Sequence, residues 1–443
     1  MTTERAPTAR GGGPAPKLLA VSFAYPPLAY PRSMQVARLL KYARAPTVLV
    51  CADEHGAPRD PTIEPEADEL LEACLRVPFE ESSSRRLAKR VAYHLSRPLW
   101  RRMNVAPDKY TAWRPLAASA VRDYLSSSRF RPDALVTFAQ PFTDHLVGLE
   151  LKRHYGLPWV AHFSDPWVDN PFSNYDRRTR GLNLALERAV VEAADRTVFT
   201  SRETVEMVFA KYPEALRQRA RVLPQCFDPS LYGAAPDDRA GDEIVIRYVG
   251  NFYGTRSPEP LVRALSAVLA ENARALDGVR FEVIGRHDPE LVSRAGGDQL
   301  PEGLFNLRPA VSYRESLLLM AAADGLLVID APAEVSVFLP SKLIDYLGAG
   351  RPILGLTPPG AAADLIGRLG GHVAHPSDTG AARSALESFL GHVRAERAEG
   401  GRVWGAPEVR RRYEADAVAA EFVEIIGEIV GQNETVDNMV LNS

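Results

Sequence analysis

Short, fully apolar runs alternate with amphipathic stretches along almost the whole chain. The run KLLAVSF (17–23) is followed by SMQVARLLKYA (33–43), whose apolar positions recur at helical spacing. Further apolar runs are TVLVC (47–51), DALVTFA (133–139), WVAHF (159–163) and RTVFT (196–200), each trailed by a helical or loop segment. Strands apolar at every position, rather than every second one, are buried on both faces, as in parallel sheet covered by helices. GAAPDDRAGDE (233–243) then interrupts the pattern with a small, acidic, Pro/Gly-bearing stretch of linker character. A second series follows: IVIRYVG (244–250), RFEVIG (280–285), LFNLRPAV (304–311), GLLVID (325–330) and PILGL (352–356). SPEPLVRALSAVLA (257–270) and SYRESLLLMAAA (312–323) read as helices between them.

This pattern predicts an α/β protein of two doubly wound, Rossmann-like domains facing across a cleft, residues 17–237 and 242–412. The amphipathic stretch PEVRRRYEADAVAAEFVEIIGEIV (407–430) predicts one long final helix, with 413–431 packing back towards the first domain. Residues 1–16 and 432–443 read as disordered tails. Ligands of such sheets bind beyond the carboxyl ends of the strands, which makes the cleft the default active site.

Composition narrows the classes. The 443 residues suit two domains, and 46% hydrophobic with 25% charged residues is ordinary for a globular protein. A net charge of −3 gives no global reason to expect nucleic-acid binding, so any basic surface must be local. No apolar stretch approaches the ~20 residues of a transmembrane helix. Cys51, Cys74 and Cys226 are widely spaced without a CxxC pair. That argues against a disulfide framework or a zinc site and fits a reducing cytoplasm.

Two loops of the second series carry candidate phosphate chemistry. YVGNFYGTRSPEP places Gly250, Asn251, Gly254 and Arg256 between a strand and a helix. Glycines let backbone N–H groups approach a phosphate, and arginine contacts it in bidentate fashion. An ordinary βα turn with a solvated arginine is the competing reading. FLPSKLIDYLGAG predicts a helix over about 342–349, with Ser341 as N-cap, Gly350 as left-handed C-cap, and Leu343, Tyr346 and Leu347 buried. Lys342 and Asp345 share another face. They form either a surface ion pair or a division of labour in which Lys342 meets a diphosphate and Asp345 the ribose hydroxyls. Arg286, which follows the strand ending at Gly285, completes the candidate nucleotide set.

In the first series, LPWVAHFSDPWVDNPF (157–172) gathers His162, Ser164, Asp165, Trp167 and Asp169 at a strand's carboxyl end. His162 and Asp165 are candidates for substrate contact; a capped turn with Trp167 in the core is the alternative. In AYPPLAYPRSMQVARLL (24–40), three prolines stiffen the loop, Ser33 can cap the next helix, and Arg32 stands beside that start. That loop is either a rigid connection or a wall that touches phosphate or acceptor. The segment 82–107 contains Arg85, Arg86, Lys89, Arg90, Arg97, Arg101 and Arg102, no acid, and apolar residues every four positions. Residues 85–103 therefore predict a basic amphipathic helix on an anionic membrane surface, or else a solvated cationic helix.

Taken together, AYPP, APDKYTAWRPLA, QPFTDHLVGLELKRHYGLPWVAHFSDPWVDNP, LERAVVEAADRTVFTS, VLPQCFDPSLY, YVGNFYGTRSPEPLVRAL and FLPSKLIDYLGAGRPIL resemble the retaining nucleotide-sugar glycosyltransferases of family four, which have the GT-B fold. The resemblance is nearest to the bacterial branch that builds lipid-linked or surface polysaccharides, and covers about 17–430. It implies transfer of a sugar from a nucleotide diphosphate to a glycan or lipid-linked acceptor, with no metal or other cofactor, at the inner face of the cell membrane. Arg256 matches the family's basic residue after the glycine loop, and Lys342 lies close to its second basic element. Asp345 matches the second Glu of the Glu-x7-Glu motif. Val337 stands where the first Glu would be, and Ala29 to Arg32 where a Gly-Gly pair is usual. The candidate catalytic set is Arg256 and Lys342, which the resemblance supports, with Asp165 and His162 from the first series as candidates for positioning the acceptor. The implied nucleotide set is Gly250, Asn251, Gly254, Arg256, Arg286, Ser341, Lys342 and Asp345. The two departures keep open a degenerate scaffold on this fold, and the fold itself also admits a nucleotide-sugar epimerase.

Overall fold

The computed structural model describes residues 15–63, 70–80, 106–233, 242–252, 254–400 and 403–441. The basic segment 85–103 lies outside them. Two compact units divide the chain, Met1–Pro224 with Val418–Ser443, and Gln225–Ala417.

The first unit is built on parallel strands β1 (Leu18–Val21), β2 (Thr47–Glu54), β3 (Ala73–Phe79), β4 (Ala134–Ala139), β5 (Trp159–Phe163), β6 (Arg196–Phe199) and β7 (Ala220–Val222). Among the described residues their order is β3-β2-β1-β4-β5-β6-β7. The four residues of β1 have no exposed surface at all, which is why the sequence is apolar there without alternation. Strand order reverses between β1 and β4, which pair in parallel from Leu18 opposite Ala134 onward. Such a switch point opens a crevice beyond the carboxyl ends, where ligands of doubly wound sheets bind. Trp113, Trp159 and Trp167 are fully buried, and Trp167 stacks on Phe142 at 4.7 Å. Trp167 is thus core, and its Nε1 donates to Asn183 at 2.7 Å. Asp169 is tied to Lys211 and Arg180.

The second unit holds β8 (Ile244–Val249), β9 (Val279–Ile284), β10 (Phe305–Arg308), β11 (Gly325–Ile329), β12 (Ile353–Leu356) and β13 (His372–Ala374). The order β10-β9-β8-β11-β12-β13 puts its switch point between β8 and β11. The α/β architecture with two parallel sheets matches the predicted fold class.

Three local predictions need correction. The first helix begins at Pro31, with Tyr30 as N-cap, so Ser33 lies inside it rather than capping it. Proline at the first helical position needs no N–H partner and has the right φ, and it starts the helix two residues early. At the other predicted cap, Pro340 is itself the N-cap of the Ser341–Ala349 helix, with an extended ψ of 133°, and puts Ser341 in the first turn. The final helix is two, Pro407–Arg411 and Ala415–Leu441, the second continuing through residues 432–441 where the sequence reads as a tail. At the break, Phe227 donates its N–H to the Tyr413 carbonyl and accepts from the Ala415 N–H, both at 2.9 Å. These strand-like bonds replace helical ones and interrupt an otherwise amphipathic run. Beyond the break, Val418, Phe422, Ile425, Ile426 and Ile429 are buried, and Glu428 accepts from Arg196 and Arg221 at 2.9 and 2.8 Å.

Candidate functional site

In the second unit the elements around the switch point converge on one cationic spot. Gly250 directly follows β8 and has a φ of +143°. A Cβ there would stand 2.7 Å from the Lys342 Nζ, so a side chain at 250 would displace the lysine. Gly285, just after β9, backs directly onto the Gly250 carbonyl, where a Cβ would come within 2.4 Å of the oxygen. Asn251 ties the two loops further, its Oδ1 accepting from the Arg286 backbone N–H at 2.7 Å. The Arg286 side chain itself is exposed, as is Gly254 with its φ of +63°.

Arg256 is buried and forms an ion pair with Asp330, the residue that follows β11. Asp330 also accepts from the Thr357 hydroxyl at 3.1 Å. Lys342, in the first turn of the Ser341–Ala349 helix, donates to the Tyr248 hydroxyl at 2.6 Å and sits 3.9 Å from the centre of that ring. Burial holds the Lys342 amine well below the ordinary lysine range; the Arg256 charge lowers it further, and Asp330 opposes. Pro340 makes no side-chain cap, though its carbonyl accepts from the Leu343 N–H at 3.0 Å, and the helix start offers the Ser341 and Lys342 N–H groups to other acceptors. The Val249 N–H donates to the Tyr346 hydroxyl at 2.9 Å, which fixes the helix against the end of β8.

Lys342 and Asp345 do not pair with each other. Asp345 is buried and accepts from the Tyr313 hydroxyl at 2.9 Å. Val337 is a buried apolar residue, and Ser336 is tied through its backbone to Gly360. The structure therefore brings together Gly250, Arg256 and Lys342 around Asp330 and Tyr248. Asp330 was readable as an acid closing an apolar strand. Tyr248 was not, because nothing marks one aromatic inside a buried strand.

The first unit gathers a second group beyond β1, β4 and β5. Arg32 is buried, donates to the His162 carbonyl at 3.0 Å, and has Nη2 2.9 Å from His162 Nδ1. A guanidinium can only donate, so Nδ1 accepts and the proton of the neutral ring sits on Nε2. Burial, then Arg32 and His145, pushes the His162 imidazole well below its usual range. Asp165 accepts from Gln140 and Ser164, each at 3.1 Å, and burial raises its carboxyl. Beneath them Asp144 is fully buried and accepts from the Phe23 N–H and the Trp113 indole, both at 2.8 Å. Desolvation pushes Asp144 up to about 8.

Residues 90–225 match the family model described as a glycosyl transferase 4-like domain. No curated protein sequence matches the chain. Among solved structures, HepE of Anabaena, in complex with UDP and glucose, shares 13% identity at a TM-score of 0.62, over 93% of this chain and 100% of that one. Sucrose-phosphate synthase of Thermosynechococcus elongatus shares 16% at 0.64, over 94% and 100%. The UDP-forming α,α-trehalose-phosphate synthase of Burkholderia xenovorans shares 12% at 0.63, over 93% and 99%. The chain thus carries a glycosyl transferase 4-like match over 90–225, and its two Rossmann-like units have the fold of these GT-B neighbours.

Proposed function

We propose that this protein transfers a sugar from a nucleoside diphosphate sugar to a glycan or lipid-linked acceptor. The observation that carries this reading is the meeting of Arg256 and Lys342 at the Gly250 turn and an uncapped helix start. Breaking the bond to the anomeric carbon loads negative charge on the departing diphosphate, and preorganised cations stabilise that charge most where water is excluded. An arriving diphosphate raises the proton affinity of the Lys342 amine, which takes up a proton and becomes the second cation. Two protein cations suffice to balance the leaving group in this reading, with no metal required. In the retaining mode of transfer, the departing phosphate oxygen can itself accept the acceptor's proton, which makes a separate general base unnecessary.

Asp345, buried one turn after Lys342, is the proposed ribose ligand. Gly250, Asn251, Gly254 and Arg286 supply backbone and side-chain contacts to the nucleotide, and Ser341 its first-turn N–H. His162, donating through Nε2, and Asp165 are proposed to hold the acceptor hydroxyl. The basic segment 85–103 is proposed as the contact with an anionic membrane surface on the cytoplasmic side; none of the described helices is long and apolar enough to cross a membrane.

UDP-, GDP- and dTDP-sugars should be screened by nucleotide release with membrane extract as acceptor. The expected result is acceptor-dependent release of UDP or another nucleoside diphosphate. Turnover without acceptor would point to the epimerase instead, and no release or binding with any donor would leave a scaffold.

A further inference from the structure

Cys51 and Cys74 are 23 positions apart in the chain, yet their sulfurs lie 3.7 Å from one another. The cause is the register of β2 and β3, which sets Cys74 opposite Leu49 and Cys51 opposite Arg76. Residues 49 and 51 point to the same face of β2, so the two thiols are diagonal neighbours on one side of the sheet. Among the described residues β3 is the terminal strand in that sheet's order, and it is only half-buried over most of its length. Cys51 is completely buried, whereas Cys74 is partly exposed. A small reagent therefore reaches Cys74 first and finds Cys51 directly behind it. Arg76 Nη1 stands 4.0 Å from the Cys51 sulfur, and a thiolate formed there is favoured by the guanidinium.

We propose that Cys51 and Cys74 form a reversible oxidation site for low-molecular-weight disulfides, with Cys74 as the entry thiol and Cys51 as the resolving thiol. The Cys74 thiolate attacks one sulfur of the reagent, forms a mixed disulfide and expels one thiolate. The Cys51 thiolate then attacks the Cys74 sulfur, closes the Cys51–Cys74 bond and expels the second. The two cysteines lose two electrons and two protons, and the reagent leaves as two thiols.

Closure has a structural consequence. In a parallel pair, two residues of rise across strands ~4.8 Å apart put diagonal Cα atoms ~8 Å from one another, beyond the ~6.8 Å that disulfides usually span. The bond therefore draws the edge strand β3 towards β2, and thiols reverse it readily. Arg76 moves with β3. Its Nη1 donates to the Pro26 carbonyl at 2.7 Å, and its guanidinium lies 5.6 Å from the centre of the Tyr25 ring. Oxidation at the sheet edge thus reaches the loop that leads from β1 to Arg32.

The test is incubation of the full-length protein with oxidised glutathione, followed by alkylation in acid, digestion without reductant, and mass spectrometry. The expected product is a peptide pair joined through Cys51 and Cys74, released by dithiothreitol, with buried Cys226 still open to alkylation after denaturation. Cys51→Ser is expected to accumulate glutathione on Cys74 instead. Two unmodified thiols in the wild type, or a wild type that stops at glutathione on Cys74, would overturn the proposal. The wild-type measurement needs no substitution, so a misfolded variant leaves it intact.

Discussion

Lys342→Ala and Arg256→Ala are each expected to lower kcat for sugar transfer by about 10²-fold, the usual cost of deleting one preorganised donor to developing charge. The two residues act on one diphosphate, so the double variant should lose less than the product of the single losses. Stability separates the roles. Lys342 keeps a buried amine beside a guanidinium, and the alanine should leave thermal stability level or higher. Arg256→Ala, by contrast, strips the cation from buried Asp330 and should destabilise the fold as well. Arg256→Lys is the control that restores charge without the bidentate fork. Because free Lys342 sits below the ordinary lysine range and gains a proton with the donor, donor affinity should fall as pH rises. Steady-state kinetics across pH, beside thermal melts, check all of this; wild-type kcat in both alanine variants would remove the mechanism.

The second large effect concerns the floor of the first unit. Asp144 titrates at about 8 in the folded protein and near 3.9 in an unfolded chain. Between those values the folded state binds more protons than the unfolded one, so stability attributable to this group declines as pH climbs from about 4 to 8. Asp144→Asn should remove that slope. It should also carry a pH-independent cost of about 1–3 kcal/mol. One asparagine oxygen cannot serve both the Phe23 N–H and the Trp113 indole, and its amide N–H₂ would face a donor. The variant is thus expected to be clearly less stable than the wild type at pH 5, with the gap narrowing or reversing at pH 8. Urea denaturation at both pH values is the measurement, and an unchanged gap would contradict the assignment.

Much of the fold was legible because parallel strands buried on both faces leave an uninterrupted apolar signature. WVAHF coincides with β5, and the other apolar runs fall within a few residues of their strands. The strands that escaped notice lacked that signature. β3 carries Arg76 and Pro78 at a sheet edge, and β7 and β13 span three residues each. Of the site, the sequence displayed the glycines and the cations but not their partners. Spacing of three along a helix placed Lys342 and Asp345 on one face, yet tertiary contacts sent one to Tyr248 and the other to Tyr313. Two prolines likewise displaced the expected serine caps: Pro31 brings a preset φ to the first helical position, and Pro340 occupies the cap position itself. The Cys51–Cys74 contact was invisible for a similar reason: it depends on strand register, and one of its strands was missed.

The proposed mechanism requires that a nucleoside diphosphate be held by Gly250, Arg256 and the start of the Ser341–Ala349 helix. A crystal structure of the protein soaked with UDP tests it most directly. Phosphate oxygens are expected within hydrogen-bond distance of Arg256, Lys342 and the first N–H groups of that helix. Density for UDP elsewhere, with both cations contacting only Asp330 and Tyr248, would contradict it.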